Sequence, residues 1–383
     1  MSLLTSHSPS FESDSSMKKT KGTSIHLTKR NGQKELLDPR LILKAIEAHC
    51  DGLSDVDADM ISEKVQRGLY NGVTTEELDS LLIQNAAMFI SDEPQYSKLA
   101  ARLLHTLVSD EVKKHKITSF SDSINYGHSV GILSDDVLSF VKANSETLNA
   151  AISVQQSDRF EYFGLRTVYD RYLLKDPEKR TVFETPQYFF MRVACGLSHN
   201  AQEAIEFYNL ISSFEYMPST PTLFNSATNR SQMSSCYLLD SPQDSLESIY
   251  DKYKDVALLS KFAGGIGLAF HRVRSQGSLI RGTNGKSNGV IPFLKTLDSS
   301  VSAVNQGGKR KGAACIYLET WHADILDFLQ LRENTGDEAR RTHNLNLANW
   351  IPDLFMERVE SCLLYTSDAA DDMQCVDLGG RRI

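Results

Sequence analysis

Near residue 216 the texture of the chain changes, and that change limits the folds open to it. Upstream, residues 117–215 read as mostly helical, through aromatic-rich stretches such as RFEYFGLRTVYDRYLL and TPQYFFMRVACGL. Downstream, short apolar runs (CYLL, GIGLAFHRV, AACIYL) alternate with Gly-rich turns and helical segments. Apolar runs of that length between turn residues read as buried strands of a helix-covered sheet. The predicted class is therefore α/β, with a helical region ahead of the strands. At 383 residues the chain has room for two or three domains.

The N-terminal part has its own signature. SIHLTKRNGQKELL predicts two short strands around Asn31-Gly32, a pair suited to tight hairpins because both turn positions need positive φ. Asp38-Pro39 opens a helix with Asp as N-cap and Pro in the first turn. Its apolar face is read as Leu41, Ile42, Ala45 and Ile46. Thr74 and Glu77 stand at capping-box spacing at the head of a second helix carrying Leu78, Leu81, Leu82, Ala86, Ala87 and Ile90. A further helix carries Leu99, Leu103, Leu104 and Leu107. The hairpin and about four helices form a unit over 24–116. Residues 1–23, Ser-rich and without a long apolar core, are expected to be a disordered leader rather than a secretory signal.

Composition excludes several classes. The formal net charge of −8 speaks against binding nucleic acid polymers or membrane surfaces in general. No apolar run approaches the roughly 18 residues of a membrane span. The six cysteines (Cys50, Cys195, Cys236, Cys315, Cys362 and Cys375) form no CxxC, and the histidines show no metal-ligand spacing. No metal site is expected, and a reducing cytoplasm suits these thiols. Cys195, inside an apolar helical run, reads as a core thiol. Arg159, Arg166 and Arg171 read as solvated faces and packing stems.

Four constellations carry chemistry. The first is Met217–Leu246, MPSTPTLFNSATNRSQMSSCYLLDSPQDSL. Here Pro218, Thr220, Pro221 and Thr222 make a stiff hydroxyl-rich segment, Cys236 follows two serines, and Asp244-Ser245-Leu246 form an acidic, hydroxyl-bearing turn. A thiol among hydroxyl and amide donors suits redox chemistry on an anionic polar substrate; a Cys before a strand, taken alone, is more often a core residue. The second is Ala263-Gly264-Gly265-Ile266-Gly267, a Gly-rich turn able to offer backbone N–H groups to an anion, or simply a turn. It follows a helical stretch and precedes an apolar run, the reverse of a dinucleotide fingerprint. The third, RSQGSLIRGTNGK, imitates a phosphate-binding P-loop, but Ile280 stands where that pattern needs Gly. The fourth, Asn305–Gly312, is a basic Gly-rich loop, an anion site or a mobile turn. Trp321-His322 fits neither a metal site nor a triad and reads as structural.

Met217–Leu246 closely resembles the first redox-cysteine motif of the class I ribonucleotide reductase large (alpha) subunit, and the likeness runs from about residue 24 to 360. TKRNGQKELLDPRLI, NGVTTEELDSLLIQNAA and ISDEPQYSKLAARLL resemble the ATP-cone, the nucleotide-sensing domain of such enzymes. Carried over by position, Lys29, Arg30, Glu35 and Thr75 would contact an effector nucleotide; the family often has a basic residue where this chain has Leu41, with Arg40 beside it. The resemblance implies a helical region at 117–215 and, over 216–360, the first part of a ten-stranded α/β barrel. It makes Cys236 one of two thiols that reduce the ribose 2′-carbon, with Thr220, Ser235 and Gly265 touching substrate. Asp244, Ser245, Leu246, Arg274 and Arg281 would contact a specificity effector. Gln306, Gly307, Gly308, Lys309 and Arg310 would form the loop that relays effector identity to the substrate pocket. ATP, dATP, dTTP and dGTP are the implied effectors. A metal-containing small (beta) subunit would supply the radical, and no cofactor would be covalently bound to this chain. Ribonucleoside diphosphates would be substrates, and thioredoxin or glutaredoxin the reductant. The full-length protein would be a cytoplasmic homodimer.

From Ser361 the sequence is expected to depart from the family: residues 361–383 resemble translated adapter sequence after a truncated frame. The radical cysteine and the second redox cysteine would then be missing, and the fragment alone inactive. A non-catalytic nucleotide-sensing module is the alternative, and a cobalamin-dependent reductase of the same superfamily a minor one. Against the sensor stands the long Cys236–Glu360 region, since a sensor needs no redox thiol.

Overall fold

The computed structural model describes residues 25–29, 32–261, 264–306 and 310–361, with the side chains of 305, 306, 310 and 311 outside that description. The expected leader, Arg30, Gly307, Gly308, Lys309 and the tail from residue 362 lie outside the described residues. The chain divides into two compact units. The part up to Pro218, with Leu223–Ser231, forms one; Ser219–Thr222 with the part from Gln232 forms the other.

The first unit opens on an antiparallel hairpin, β1 (His26–Thr28) and β2 (Lys34–Leu36). Gly32, with φ 83°, takes the left-handed position its turn requires. Helices α1 (Pro39–Glu47), α2 (Ala58–Arg67), α3 (Thr75–Met88) and α4 (Gln95–Lys114) follow. Asp38 caps α1 by accepting from Arg40 N, and Thr74 with Glu77 completes the capping box of α3. Ile42, Ala45 and Ile46 are buried, but Leu41 is 40% exposed, so the apolar face of α1 is one residue narrower than its sequence suggests. The hairpin is tied to the head of α3 by Thr28 N donating to Val73 O (2.8 Å) and Gly72 N donating to His26 O (2.8 Å).

Next come α5 (Phe120–Ser129), α6 (Asp135–Ala143), α7 (Ser145–Ala151), α8 (Tyr162–Thr167), α9 (Pro186–Cys195) and α10 (Ala201–Ser212). One continuous apolar core runs from Leu27 to Ala227, without a break at residue 116. Within it lies a fully buried charge pair. Arg192 Nε and Nη2 donate to the two carboxylate oxygens of Glu184 at 2.9 and 3.1 Å, and Nη1 donates to Ser226 O at 2.7 Å. Glu184 also accepts from Leu174 N at 2.8 Å. The pair thus fastens the returning segment 223–231 to α9.

Helix α11 (Thr220–Asn225) turns the stiff TPT segment into one and a half helical turns. The second unit is a partial α/β barrel built on a four-stranded parallel sheet: β3 (Cys236–Leu239), α12 (Leu246–Lys261), β4 (Gly265–Ala269), β5 (Gln276–Ile280), β6 (Gly285–Asn288), α13 (Ile291–Ala303), β7 (Asn305–Gln306), β8 (Arg310–Lys311), β9 (Ala314–Glu319), α14 (Ile325–Leu329), β10 (Leu345–Trp350) and α15 (Asp353–Glu360). The parallel order is β10-β9-β4-β3; β5-β6 and β7-β8 are separate antiparallel hairpins. Strand residues alternate between faces. Ile266, Leu268, Phe270, Ile316, Leu318 and Leu345 pack beneath α12 and α13, against Ile249, Val256, Leu294 and Leu297. The opposite face carries Cys236, Leu238, Gly265, Gly267, Cys315 and Tyr317, and on it Leu238 is 83% exposed. No helix among the described residues is long and apolar enough to cross a membrane.

Candidate active and effector sites

Cys236 heads β3 on the open face of the sheet and is exposed, whereas Cys50 and Cys315 are half-buried and Cys195 is buried. Burial pushes the Cys195 thiol up to about 12, which makes it inert, as a core thiol should be. The Cα partner of Cys236 is Gly265, whose N–H donates to Ser235 O at 2.7 Å. A Cβ at Gly265 would stand 3.4 Å from Cys236 Sγ and 3.4 Å from Ser235 O. Glycine here leaves the thiol's flank clear.

The structure corrects the reading of GGIG as an anion-cradling turn. Gly265 and Gly267 lie inside β4, and the Gly265 N–H is already used to hold β3. Gly267 is needed for packing: a Cβ there would sit 2.7 Å from Leu238 Cδ2 and 3.0 Å from Tyr317 Cε2. Gly264, just before the strand, would collide with the Tyr237 ring at 2.7 Å.

The hydroxyl segment is pinned to the approach of β3. Thr222 Oγ1 donates to Met233 O at 3.1 Å and lies 3.4 Å from Ser219 Oγ. Gln232 folds onto Ser234, accepting from its N–H (2.6 Å) and donating to its carbonyl (3.0 Å). Thr220, half-buried, starts α11, and Ser235 is exposed beside Cys236. Thr222 was not among the predicted contacts, although its hydroxyl makes the link that sequence showed only as a TPT run.

Around the start of α12 the structure joins four of the five predicted effector residues. Arg274 Nε donates to Asp244 Oδ2 at 2.7 Å, and its backbone N donates to Asp244 Oδ1 at 3.2 Å. Ser245 Oγ accepts from Ser248 N at 3.3 Å, an N-cap bond to α12. Leu246 begins that helix, 63% exposed. Arg274, engaged by the Asp244 carboxylate, stands beside the N-terminus of α12, an end whose backbone N–H groups favour an anion. Arg281 is exposed at the tip of the β5-β6 hairpin; Arg274 Nη1 reaches Leu279 O (3.1 Å), two residues before it. The backbone of the predicted relay loop pairs Gln306 with Arg310.

In the first unit, Lys29 pairs with Glu35 across the hairpin. Thr75, buried at the first position of α3, points its hydroxyl at Thr28 O, 3.5 Å away. These three predicted residues therefore converge where the hairpin meets α3.

Comparison with known proteins decides what this assembly belongs to. A family model described as "ATP cone domain" matches residues 25–111, one described as "Ribonucleotide reductase, all-alpha domain" matches 158–231, and one described as "Ribonucleotide reductase, barrel domain" matches 234–377. The ribonucleoside-diphosphate reductase large subunit of Variola virus is 44% identical over 345 residues, 88% of this chain and 44% of that protein. The chain belongs to the ribonucleotide reductase large-subunit family. The large subunit of Danio rerio is 44% identical over 346 residues, 88% of this chain and 43% of that protein. The alpha subunit of Chlamydia trachomatis is 40% identical over 375 residues, 94% of this chain and 36% of that protein. The chain thus spans less than half the length of these relatives. The barrel match extends to residue 377, into the stretch expected to leave the family pattern.

Proposed function

We propose that this chain provides the nucleotide-sensing, helical and first barrel segments of a ribonucleoside-diphosphate reductase large subunit. The observation that carries the reading is an exposed Cys236 on the open barrel face, its flank cleared by Gly265 and its approach bordered by the Ser219–Thr222 hydroxyls. Replacing the 2′-hydroxyl of a ribonucleotide by hydrogen consumes two electrons and two protons and releases water. Two thiols supply both and end as a disulfide. Cys236 is one of the two. Hydroxyl donors at Thr220 and Ser235 bind the substrate. The 3′-hydrogen is first removed by a thiyl radical that a metal-containing small subunit generates, and thioredoxin or glutaredoxin reduces the disulfide afterwards.

ATP and dATP act at Lys29, Arg30, Glu35 and Thr75. Deoxynucleoside triphosphates act at Asp244, Ser245, Leu246, Arg274 and Arg281, with residues 306–310 relaying their identity. The full-length protein works as a cytoplasmic homodimer. The test is reduction of CDP by the full-length subunit with its small subunit and thioredoxin. C236S abolishes deoxynucleotide formation on this account; turnover by C236S at the parent rate would refute it.

A further inference from the structure

The β5-β6 hairpin has little to hold it. Two paired strands are marginal alone in water. Gln276, Gly277 and Leu279 of β5 and Lys286 and Asn288 of β6 are exposed, and the pairing is broken by a bulge between Gln276 and Leu279. Yet Arg274 and Arg281 can serve one ligand only if this hairpin holds one position.

Its two legs meet at one buried carboxylate. Asp324, 5% exposed in the β9–α14 turn, accepts from Gln276 N on the incoming leg (2.9 Å to Oδ1, 3.2 Å to Oδ2). On the outgoing leg it accepts from Val290 N at 2.9 Å. Gly289, with φ +76°, lets that leg pass: a Cβ there would stand 2.4 Å from Asp324 Oδ2.

His322, 7% exposed, sets the carboxylate and holds the incoming leg again. Its Nε2 lies 2.8 Å from Val273 O, and Asp324 N donates to its Nδ1 at 3.1 Å. The carbonyl can only accept and the amide can only donate. The ring is therefore the neutral tautomer with the proton on Nε2.

We propose that His322 and Asp324 are positioning residues that fix both legs of the hairpin and so preset Arg274 and Arg281 for a nucleoside triphosphate. This rests on the effector-site reading above, which the test separates from the clamp. Hydrogen exchange of the full chain addresses the clamp alone. The Gln276 and Val290 amides should exchange at least about tenfold more slowly than Gly282 at the exposed tip, and D324A should erase the difference. dTTP titration addresses the site. R281A should lose binding, and D324A should weaken it about 10- to 100-fold, the scale on which supports of ligand groups usually act. ATP binding at the first unit should be unchanged.

H322Q, whose amide can still donate to Val273 O, should keep dTTP affinity within a few-fold of the parent, whereas H322A should not. This rescue separates positioning from general loss of fold and stands even where D324A fails to fold. Fast exchange at Gln276 and Val290 in the parent chain, or parent-like dTTP affinity in D324A and H322A, overturns the clamp. A parent chain that binds no dTTP, or an R281A that binds it unchanged, overturns the effector site while slow exchange at the two legs would still stand.

Discussion

Breaking the Glu184–Arg192 pair should cost the first unit a large part of its stability. Arg192 and Glu184 are 0% and 1% exposed at their side chains, so neither charge can fall back on water when the other is removed. R192M leaves a buried carboxylate whose remaining donor is Leu174 N, and it orphans Ser226 O. E184Q leaves a buried guanidinium facing a neutral amide. Each single change should destabilise by about 3–5 kcal/mol, the usual cost of an uncompensated buried charge. The double change R192M/E184L removes both charges. Losing the pair's desolvation penalty offsets about 1–4 kcal/mol, while the two stranded backbone groups cost about 1–3 kcal/mol each. The double variant should thus be clearly more stable than the sum of the singles, with a coupling of at least about 3 kcal/mol. Urea unfolding by far-UV circular dichroism follows the largely helical first unit, and tryptophan fluorescence follows the second, which holds Trp321 and Trp350. The circular dichroism midpoint should fall by about 1–2 M in each single variant. A midpoint unmoved in R192M, or a double variant as unstable as the summed singles, would refute the reasoning.

Two further outcomes follow from the structure. Burial holds the His49 and His105 imidazoles below their ordinary range, for His49 against the pull of Ala45 O, which lies 2.7 Å from its Nδ1 and favours the proton. Because the folded state disfavours the proton, their stability contribution is complete above the unfolded value of about 6.5 and is lost as pH falls below it. The first unit should melt at a lower temperature at pH 5.5 than at pH 7.5, and H49Q/H105Q should flatten that slope in thermal melts. In the second unit, a Cβ at Gly312 would meet Val301 O at 2.5 Å and Val304 O at 3.0 Å, both backbone at the end of α13. G312A should cost about 1–3 kcal/mol by tryptophan-detected unfolding, and a neutral result would show that this helix end is free to move.

The legible parts of the fold were those that repeat one local rule. CYLL, GIGLA and AACIYL are short apolar runs, and they are β3, β4 and β9; Thr74 and Glu77 carry a cap signal that depends on two residues alone. Strand β10 breaks its apolar run with Asn346 and Asn349 at the edge of the sheet, and periodicity passes over it. Leu41 shows the limit of helix faces, since one apolar residue beside Ile42 can point outward without altering the pattern. GGIG looked like a turn because glycine is a poor strand former; its cause is the close approach of Leu238 and Tyr317, which no local pattern encodes. The same holds for Arg192 and Ser226, 34 residues apart, and for Asp324 and Gln276, 48 apart. The predicted site residues were named through motif resemblance. The groups that position them belong to long-range contacts and were not.

The central claim is that Cys236 is an accessible redox thiol at the edge of a nucleoside diphosphate site. The most direct measurement is alkylation of the full chain with iodoacetamide at pH 8, read residue by residue by mass spectrometry, with and without CDP at about 1 mM, the top of the usual KM range. The account predicts that Cys236 is modified, that CDP slows its modification, and that Cys195, buried and held as the thiol, reacts only after denaturation. Modification of Cys236 at the same rate with and without CDP would contradict it.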